Sequence, residues 1–308
     1  MSDKRVCFDF EVDFSNGGGI QGQGFRLDIT GDDISDQDLA AHIIKDLRLL
    51  MVGELRILNK EIIEEAHKRS HENEGDDALD QSNDGQTLID LSHVITDGMI
   101  TYKGLPAPLI CDHLSFADSH AVYDQGTEFQ IGRIEMVSNT GTYLDAPYHR
   151  YRDGDDLETL ALHKLSDLPG CLVRLRGHQG RAIDWPSFAA AEVAGRAVLV
   201  ETGWSDHWGS DAYFEGHPFL TAAAAEYLRD QGAALVGIDS LNIDDTSGGT
   251  RPVHSILLGA GIPIVEHLTN LAALPASDFR FWAIPPKVRG MGTFPVRAHA
   301  RVAPAAST

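Results

Sequence analysis

The chain has 308 residues and a mass of 33.5 kDa, enough for one large domain or for a domain with a smaller module. Its 46 acidic residues outnumber 25 basic ones, and the formal charge of −21 repels phosphate backbones and anionic bilayers, so neither nucleic acid nor membrane is an expected partner. The opening MSDKRVCFDFEVDF carries acids where a signal peptide needs an apolar core, and no later apolar run approaches the roughly 20 residues of a membrane span, so a cytoplasmic location is expected.

In chain order, VCFDFEVDF alternates as a strand does, GGGIQGQG reads as a loop and FRLDI as a second strand. SDQDLAAHIIKDLRLLM has the spacing of an amphipathic helix with Ser35 as its cap, and GELRILN and KEIIEEAHKR read as a short strand and a final helix. Residues 1–68 are thus expected to form a small α+β module. GGGIQG satisfies G-x-G-x-x-G after a strand, but a dinucleotide site needs a helix starting at the last glycine, and an alternating segment follows instead, so a hairpin loop is expected. Residues 69–87 are rich in Asp, Asn, Glu, Ser and Gly, the composition of a chain that cannot pack a core, and read as an acidic flexible linker.

Residues 88–308 read as a second domain in which strands predominate. FQIGRIEMVS, CLVRLRG, AVLVETGW, ALVGIDSLNI and FRFWAIPPKVRG are strand-like, and LTAAAAEYLRDQG and WPSFAAAEVAG are the helical candidates. The three cysteines, Cys7, Cys111 and Cys171, are far apart and form no C-x-x-C pair, which predicts reduced thiols.

The chemistry concentrates in SNTGTYLDAPYHR, residues 138–150. Pro147 between Asp145 and His149 keeps that stretch extended or turning rather than helical, so spacing alone leaves open whether it holds a metal or is a polar turn. A second pair shifts the balance. HSILLGAGIPIVEH puts His254 and Glu266 at the ends of a nearly uncharged run, which can bury its middle and present both ends to one cavity. Asp, His and Glu together form a common divalent-cation ligand set.

With these motifs the sequence resembles the cyclase-like metal-dependent hydrolases, the family that includes bacterial kynurenine formamidase and isatin hydrolase. The resemblance runs over about residues 88–303 through DLSHVITDGM, GTYLDAPYH, VETGW, LVGIDSLNID, HSILLGAGIPIVEHLTNLAALP and PPKVRGMGTFPVRAHA. It implies an α/β domain with a mixed β-sheet or barrel-like core and peripheral helices. The family signature H-x-G-T-H-x-D-x-P-x-H is altered, with Asn139 and Tyr143 where its two histidines stand. A neutral phenol is a poor ligand, so the first metal position is expected to be empty or changed.

The resemblance further implies a second metal on Asp145, His254 and Glu266, with His149 as catalytic acid/base. Two carboxylates and one imidazole suit one divalent ion, Zn²⁺ or Mn²⁺. The expected reaction is hydrolysis of a formamide, amide or lactam-like bond in a small molecule, with Tyr143 either assisting catalysis or filling the volume of a lost imidazole. Tyr102 and Asn139 are candidate substrate contacts, and Asp239 a supporting acid. Asp244 and Asp245 read as loop-solvating, and His207 and His217 as surface residues. Two alternatives stay open: a metal-free lyase or isomerase, and a non-catalytic binding protein. The family resemblance and the apolar TYKGLPAPLI segment imply a homo-oligomer, a dimer or tetramer.

Overall fold

A computed structural model of the chain describes residues 3–15, 17–29, 31–46, 52–65, 79–81 and 86–302. It divides into two units, Met1–Asp76 and Asp77–Thr308. In the first, strands β1 (Asp3–Phe14), β2 (Gly19–Asp28) and β3 (Val52–Glu65) form an antiparallel sheet in the order β2-β1-β3, and helix α1 (Asp36–Asp46) lies between β2 and β3 in sequence. Alternation in β1 sends Val6, Phe8, Phe10 and Val12 to one buried face, where they meet Leu39 and Ile43, one turn apart on α1. Burying each phenylalanine contributes about 1.5–3 kcal/mol. Ser35 Oγ accepts from Asp38 N at 3.1 Å and caps α1 as expected.

Two readings of this unit meet the structure differently. Gly19–Gly22 already pair with β1, so the glycine-rich stretch belongs to a β-hairpin. The helix expected from Lys60 is instead the continuation of β3: Glu61, Ile62 and Ile63 pair with Cys7, Val6 and Arg5. Cross-strand pairing along the 12-residue β1 overrides the helical preference of Lys and Glu. Residues 66–69 of that expected helix lie outside the described residues.

The second unit opens with β4 (Leu79–Gln81) paired to β5 (Thr87–Asp90). Four residues of the stretch read as a linker, Leu79–Gln81 and Thr87, are therefore in strands; most of its remainder lies outside the described residues. Next come β6 (Leu109–Leu114), the short helix α2 (Phe116–Ser119) and β7 (Ile131–Glu135); β6 and β7 form a separate two-stranded ribbon. The chain continues through β8 (Tyr143–Asp145), β9 (Leu168–Arg174), β10 (Ala182–Ile183), β11 (Ala197–Glu201) and β12 (Phe219–Leu220). Helix α3 (Ala222–Asp230) precedes β13 (Leu235–Ile238), and helix α4 (Pro252–Gly259) precedes β14 (Ile264–Glu266). The last strands are β15 (Phe279–Trp282), β16 (Thr293–Pro295) and β17 (His299–Val302). WPSFAAAEVAG forms only a short 3-10 turn, Trp185–Phe188.

Ten strands make one mixed sheet in the order β16-β8-β14-β13-β11-β9-β15-β17-β5-β4. β9, β11, β13 and β14 run parallel at its centre, and the flanking pairs are antiparallel. The centre is covered on both faces, which is why AVLV reads as an unbroken apolar run. Ala197 and Leu199 pack into one core with Leu144 and Val265, while Val198 and Val200 pack into another with Ile264 and helices α3 and α4. The fold is therefore the mixed α/β architecture expected, mostly sheet with few helices. Among the described residues no helix is long and apolar enough to cross a membrane.

Candidate active site

Strand register builds the site. Tyr143 lies opposite Glu266, and Asp145 lies between Ile264 and Thr293 on its two neighbouring strands. Paired residues share a face and alternate residues return to it, so Tyr143, Asp145, Glu266 and Thr293 converge on the face that holds Ile264. Helix α4 packs on that face and brings His254. Its Nε2 lies 3.5 Å from Asp145 Oδ2 and 3.7 Å from Glu266 Oε1.

His149 arrives from the turn after β8. Thr293 Oγ donates to Asp145 Oδ1 at 2.5 Å and lies 2.7 Å from His149 Nδ1. A carboxylate has no proton to give, so the single hydroxyl proton goes to Asp145 and the hydroxyl oxygen accepts from His149 Nδ1–H. In its neutral form His149 is then left with a bare Nε2. This approach depends on Gly292: a Cβ there would lie 2.3 Å from the His149 backbone nitrogen.

Asp244, read from sequence as solvating a loop, is instead buried, and this is a correction. Its carboxylate accepts from the backbone nitrogens of Val253 (2.8 Å) and His254 (3.0 Å) in the first turn of α4, and from His254 Nδ1 at 2.7 Å. Pro252 at the helix start leaves those amides as the donors to be satisfied. His217, read as a surface residue, is also buried, with Nε2 3.1 Å from the Asp244 carbonyl oxygen, and burial pushes its pKa down. The signal available for Asp244 was an acid a few residues before a proline-started helix that carries a histidine.

Glu266 sits in a polar net. Oε1 accepts from Ile243 N at 2.6 Å and Oε2 from the Tyr143 hydroxyl at 2.6 Å. Tyr102 donates to the Leu241 carbonyl at 2.5 Å, accepts from Asn242 at 2.9 Å and touches the Tyr143 hydroxyl at 3.1 Å. Burial, reinforced by the Glu266 carboxylate, raises both phenols well above their ordinary pKa. Both stay protonated, and the Tyr143 proton is committed to Glu266. Asn139 is partly buried, and its described hydrogen bond is with Ser138. Asp239 holds the turn after β11 by accepting from Thr202 N, Thr202 Oγ and Gly203 N. Asp245 pairs with Arg181, and His207 is exposed.

The electrostatics favour a cation. Burial disfavours charge on His254, yet Asp145 and Asp244, with Glu266 nearby, raise its pKa to about 10. Burial pushes Glu266 up to about 7, and the neighbouring Asp145 charge adds to the rise. Burial also acts to raise Asp145, but the imidazoles of His254 and His149 outweigh it and hold its pKa below the ordinary value. Asp145 Oδ2 is buried without a hydrogen-bond partner. Asp145, His149 and His254 each offer a ligand atom within 4.8 Å of the others, the one such group among the described residues, so the donors fit a divalent ion. Asp145 and His254 fall within that group; Glu266 stands beside them rather than within it.

Fold and site together define a mixed α/β protein with a buried carboxylate–imidazole centre. Residues 89–245 match the sequence model of the Cyclase family, described as "Putative cyclase", and the chain belongs to that family. It is 29% identical over 172 residues to the kynurenine formamidase of Geobacillus thermodenitrificans, covering 56% of this chain and 79% of that protein. To the kynurenine formamidase of Erythrobacter litoralis it is 31% identical over 170 residues, covering 54% and 74%. Among solved structures, a potential metal-dependent hydrolase with cyclase activity superposes with a TM-score of 0.58 at 29% identity, covering 71% of this chain and 98% of that one. Isatin hydrolase A from Labrenzia aggregata shares the fold, with a TM-score of 0.60 at 21% identity over 73% of this chain and 94% of that one.

Proposed function

We propose that the chain is a metal-dependent hydrolase that cleaves the C–N bond of a formamide, amide or lactam-like small molecule. One observation carries the reading: the two oxygens of Asp145 serve different neighbours. Oδ1 engages Thr293, which in turn holds His149, while Oδ2 is buried, unpartnered and beside His254. Asp145, His254 and Glu266 would hold one divalent ion, with Zn²⁺ or Mn²⁺ suiting the donor set. Such an ion supplies an activated water and polarises the scissile carbonyl.

The chain's own residues do the rest. His149, with Nδ1–H fixed on Thr293, has Nε2 free to take a proton from the attacking water and return it to the leaving nitrogen. Tyr143 and Ile243 N fix Glu266 through its two oxygens. Kynurenine formamidases among the relatives support the choice of bond. A second reading makes His149 the third ligand, favoured by its grouping with Asp145 and His254. Elemental analysis of the purified protein, with hydrolysis assays on aryl formamides and lactams, tests the proposal; turnover that survives complete removal of metal would sink it.

A further inference from the structure

The two imidazoles of the site are held to different degrees. Asp244 fixes His254 at its Nδ1 and at its backbone nitrogen, and the ring is buried. His149 stands at the end of a 3-10 turn, Pro147–His149, with its side chain 35% exposed, and its one described side-chain hydrogen bond runs from Nδ1 to Thr293. A single bond leaves a ring free to swing about that contact, and Thr293 lies on β16, an edge strand of the sheet. The centroids of the two rings are 5.9 Å apart. A site in which one imidazole holds an ion and the other moves a proton needs that separation kept, since a misplacement of about 1 Å can cost roughly 10²-fold in rate.

The two residues after His149 both reach the residue after His254. Arg150 Nε donates to Ser255 Oγ at 3.1 Å, and the Tyr151 hydroxyl donates to the Ser255 carbonyl at 2.8 Å. Ser255 Oγ gives its own proton to the Arg251 carbonyl at the start of α4, at 2.8 Å, so its oxygen is the acceptor for Arg150. One turn further along α4, Gly259 leaves space for the phenol: a Cβ there would lie 3.2 Å from Tyr151 Oη and 3.3 Å from its ring. Arg150 and Tyr151 are both exposed, so neither contact is needed to satisfy a buried donor. In a chain with 46 acidic residues, the described hydrogen-bond partner of the Arg150 side chain is a neutral hydroxyl.

We propose that Arg150 and Tyr151 are positioning residues that tie the turn carrying His149 to helix α4 and so set its place relative to His254. The proposal deepens the hydrolase reading and rests on it for the chemistry that the two imidazoles perform. Each end of the tie is one or two residues from the histidine it governs, so little flexible backbone lies between the hydrogen bonds and the rings. One bond goes to the Ser255 side chain and the other to its carbonyl; together they resist rotation of the turn, whereas one alone would act as a pivot. The Arg150 guanidinium also lies over the Tyr151 ring, 5.4 Å from its centroid, which keeps the two donors together.

The test uses the full chain, carrying isotope-labelled histidine and equilibrated with Zn²⁺, and reads the order of the two rings by nuclear magnetic relaxation. Arg150→Met/Tyr151→Phe removes both donors and keeps most of the volume. The His149 ring should loosen from an order parameter of about 0.85 toward about 0.6 or below, while the His254 ring, held by Asp244, stays as in the parent. Arg150→Lys/Tyr151→Phe, which returns a donor toward Ser255 Oγ, should recover part of the loss. If the double variant does not fold, Tyr151→Phe alone decides, through a smaller fall at the same ring. The kcat for an aryl formamide should drop roughly 10- to 100-fold in the double variant. An unmoved His149 ring, equal loosening of both rings, or a loss of thermal stability with ring order unchanged would each overturn the proposal. Ring order is read whether or not the ion binds or the formamide is cleaved. A parent chain that hydrolyses no aryl formamide would therefore count against the proposed reaction and leave the positioning role standing.

Discussion

The carboxylate of Asp244 lies 2.7 Å from Nδ1 of His254, with both side chains buried, so the ring nitrogen facing Asp145 and Glu266 is fixed as Nε2. A carboxylate behind an imidazole sets its tautomer and raises its basicity as a ligand. Asp244→Asn keeps an oxygen for the α4 amides but turns an amide N–H toward Nδ1, or forces the opposite tautomer. Calorimetric titration with Zn²⁺ should show affinity falling by about 10- to 100-fold. Unchanged affinity would make Asp244 a helix cap and nothing more.

Elemental analysis of variants separates the two readings of His149. Asp145→Asn and His254→Ala should each lose the ion and the activity together. His149→Ala should keep the ion and slow turnover by about 10² to 10⁴. Metal missing from the His149 variant would make it a ligand and leave the role of base to another group.

Asp239 gives a pH signature away from the ligands. Burial pushes its pKa from an ordinary 3.8 to about 6, with the Glu201 charge adding to the rise against three hydrogen bonds that lower it. A carboxyl raised on folding holds its proton longer in the native state, so its contribution is fully present below pH 3.8 and is lost as pH rises through 6. Denaturant titrations should show the wild type losing stability relative to Asp239→Asn across this window, by on the order of 3 kcal/mol at most. A pH-independent difference would count against the shift.

The β6–β7 ribbon is the surface on which self-association is proposed. Leu109, Ile110, Phe116, Phe129, Ile131 and Ile134 are all exposed there, and two strands alone are marginally stable in water. Light scattering at micromolar concentration should give a dimer or larger species, and Ile134→Asp should shift it toward monomer. A monomeric parent chain would refute the expectation.

Most of the frame was legible because burial on both faces leaves continuous apolar runs such as AVLV, and because His254 and Glu266 bracket another such run. The Lys60–Glu65 segment misled because its composition favours a helix while its partner strand, β1, lies some fifty residues away. Asp244 and His217 looked solvated because NIDDTSGG and the loop before β12 are polar, and only tertiary packing buries them. Arg150 and Tyr151 carried no local signal. Each is an ordinary surface residue after His149, and what distinguishes them is a shared partner far along the chain, Ser255, which a sequence does not record.

The hydroxyl that joins Asp145 to His149 belongs to Thr293, 148 residues further along the chain. On the ribosome, at about 5–20 residues per second, that interval lasts roughly 7–30 s. Through it Asp145 and His149 already exist, while the strand that couples them does not. The proposed proton relay therefore cannot assemble until β16 has been synthesised, and before then a nascent chain cannot perform the proposed chemistry in the form described.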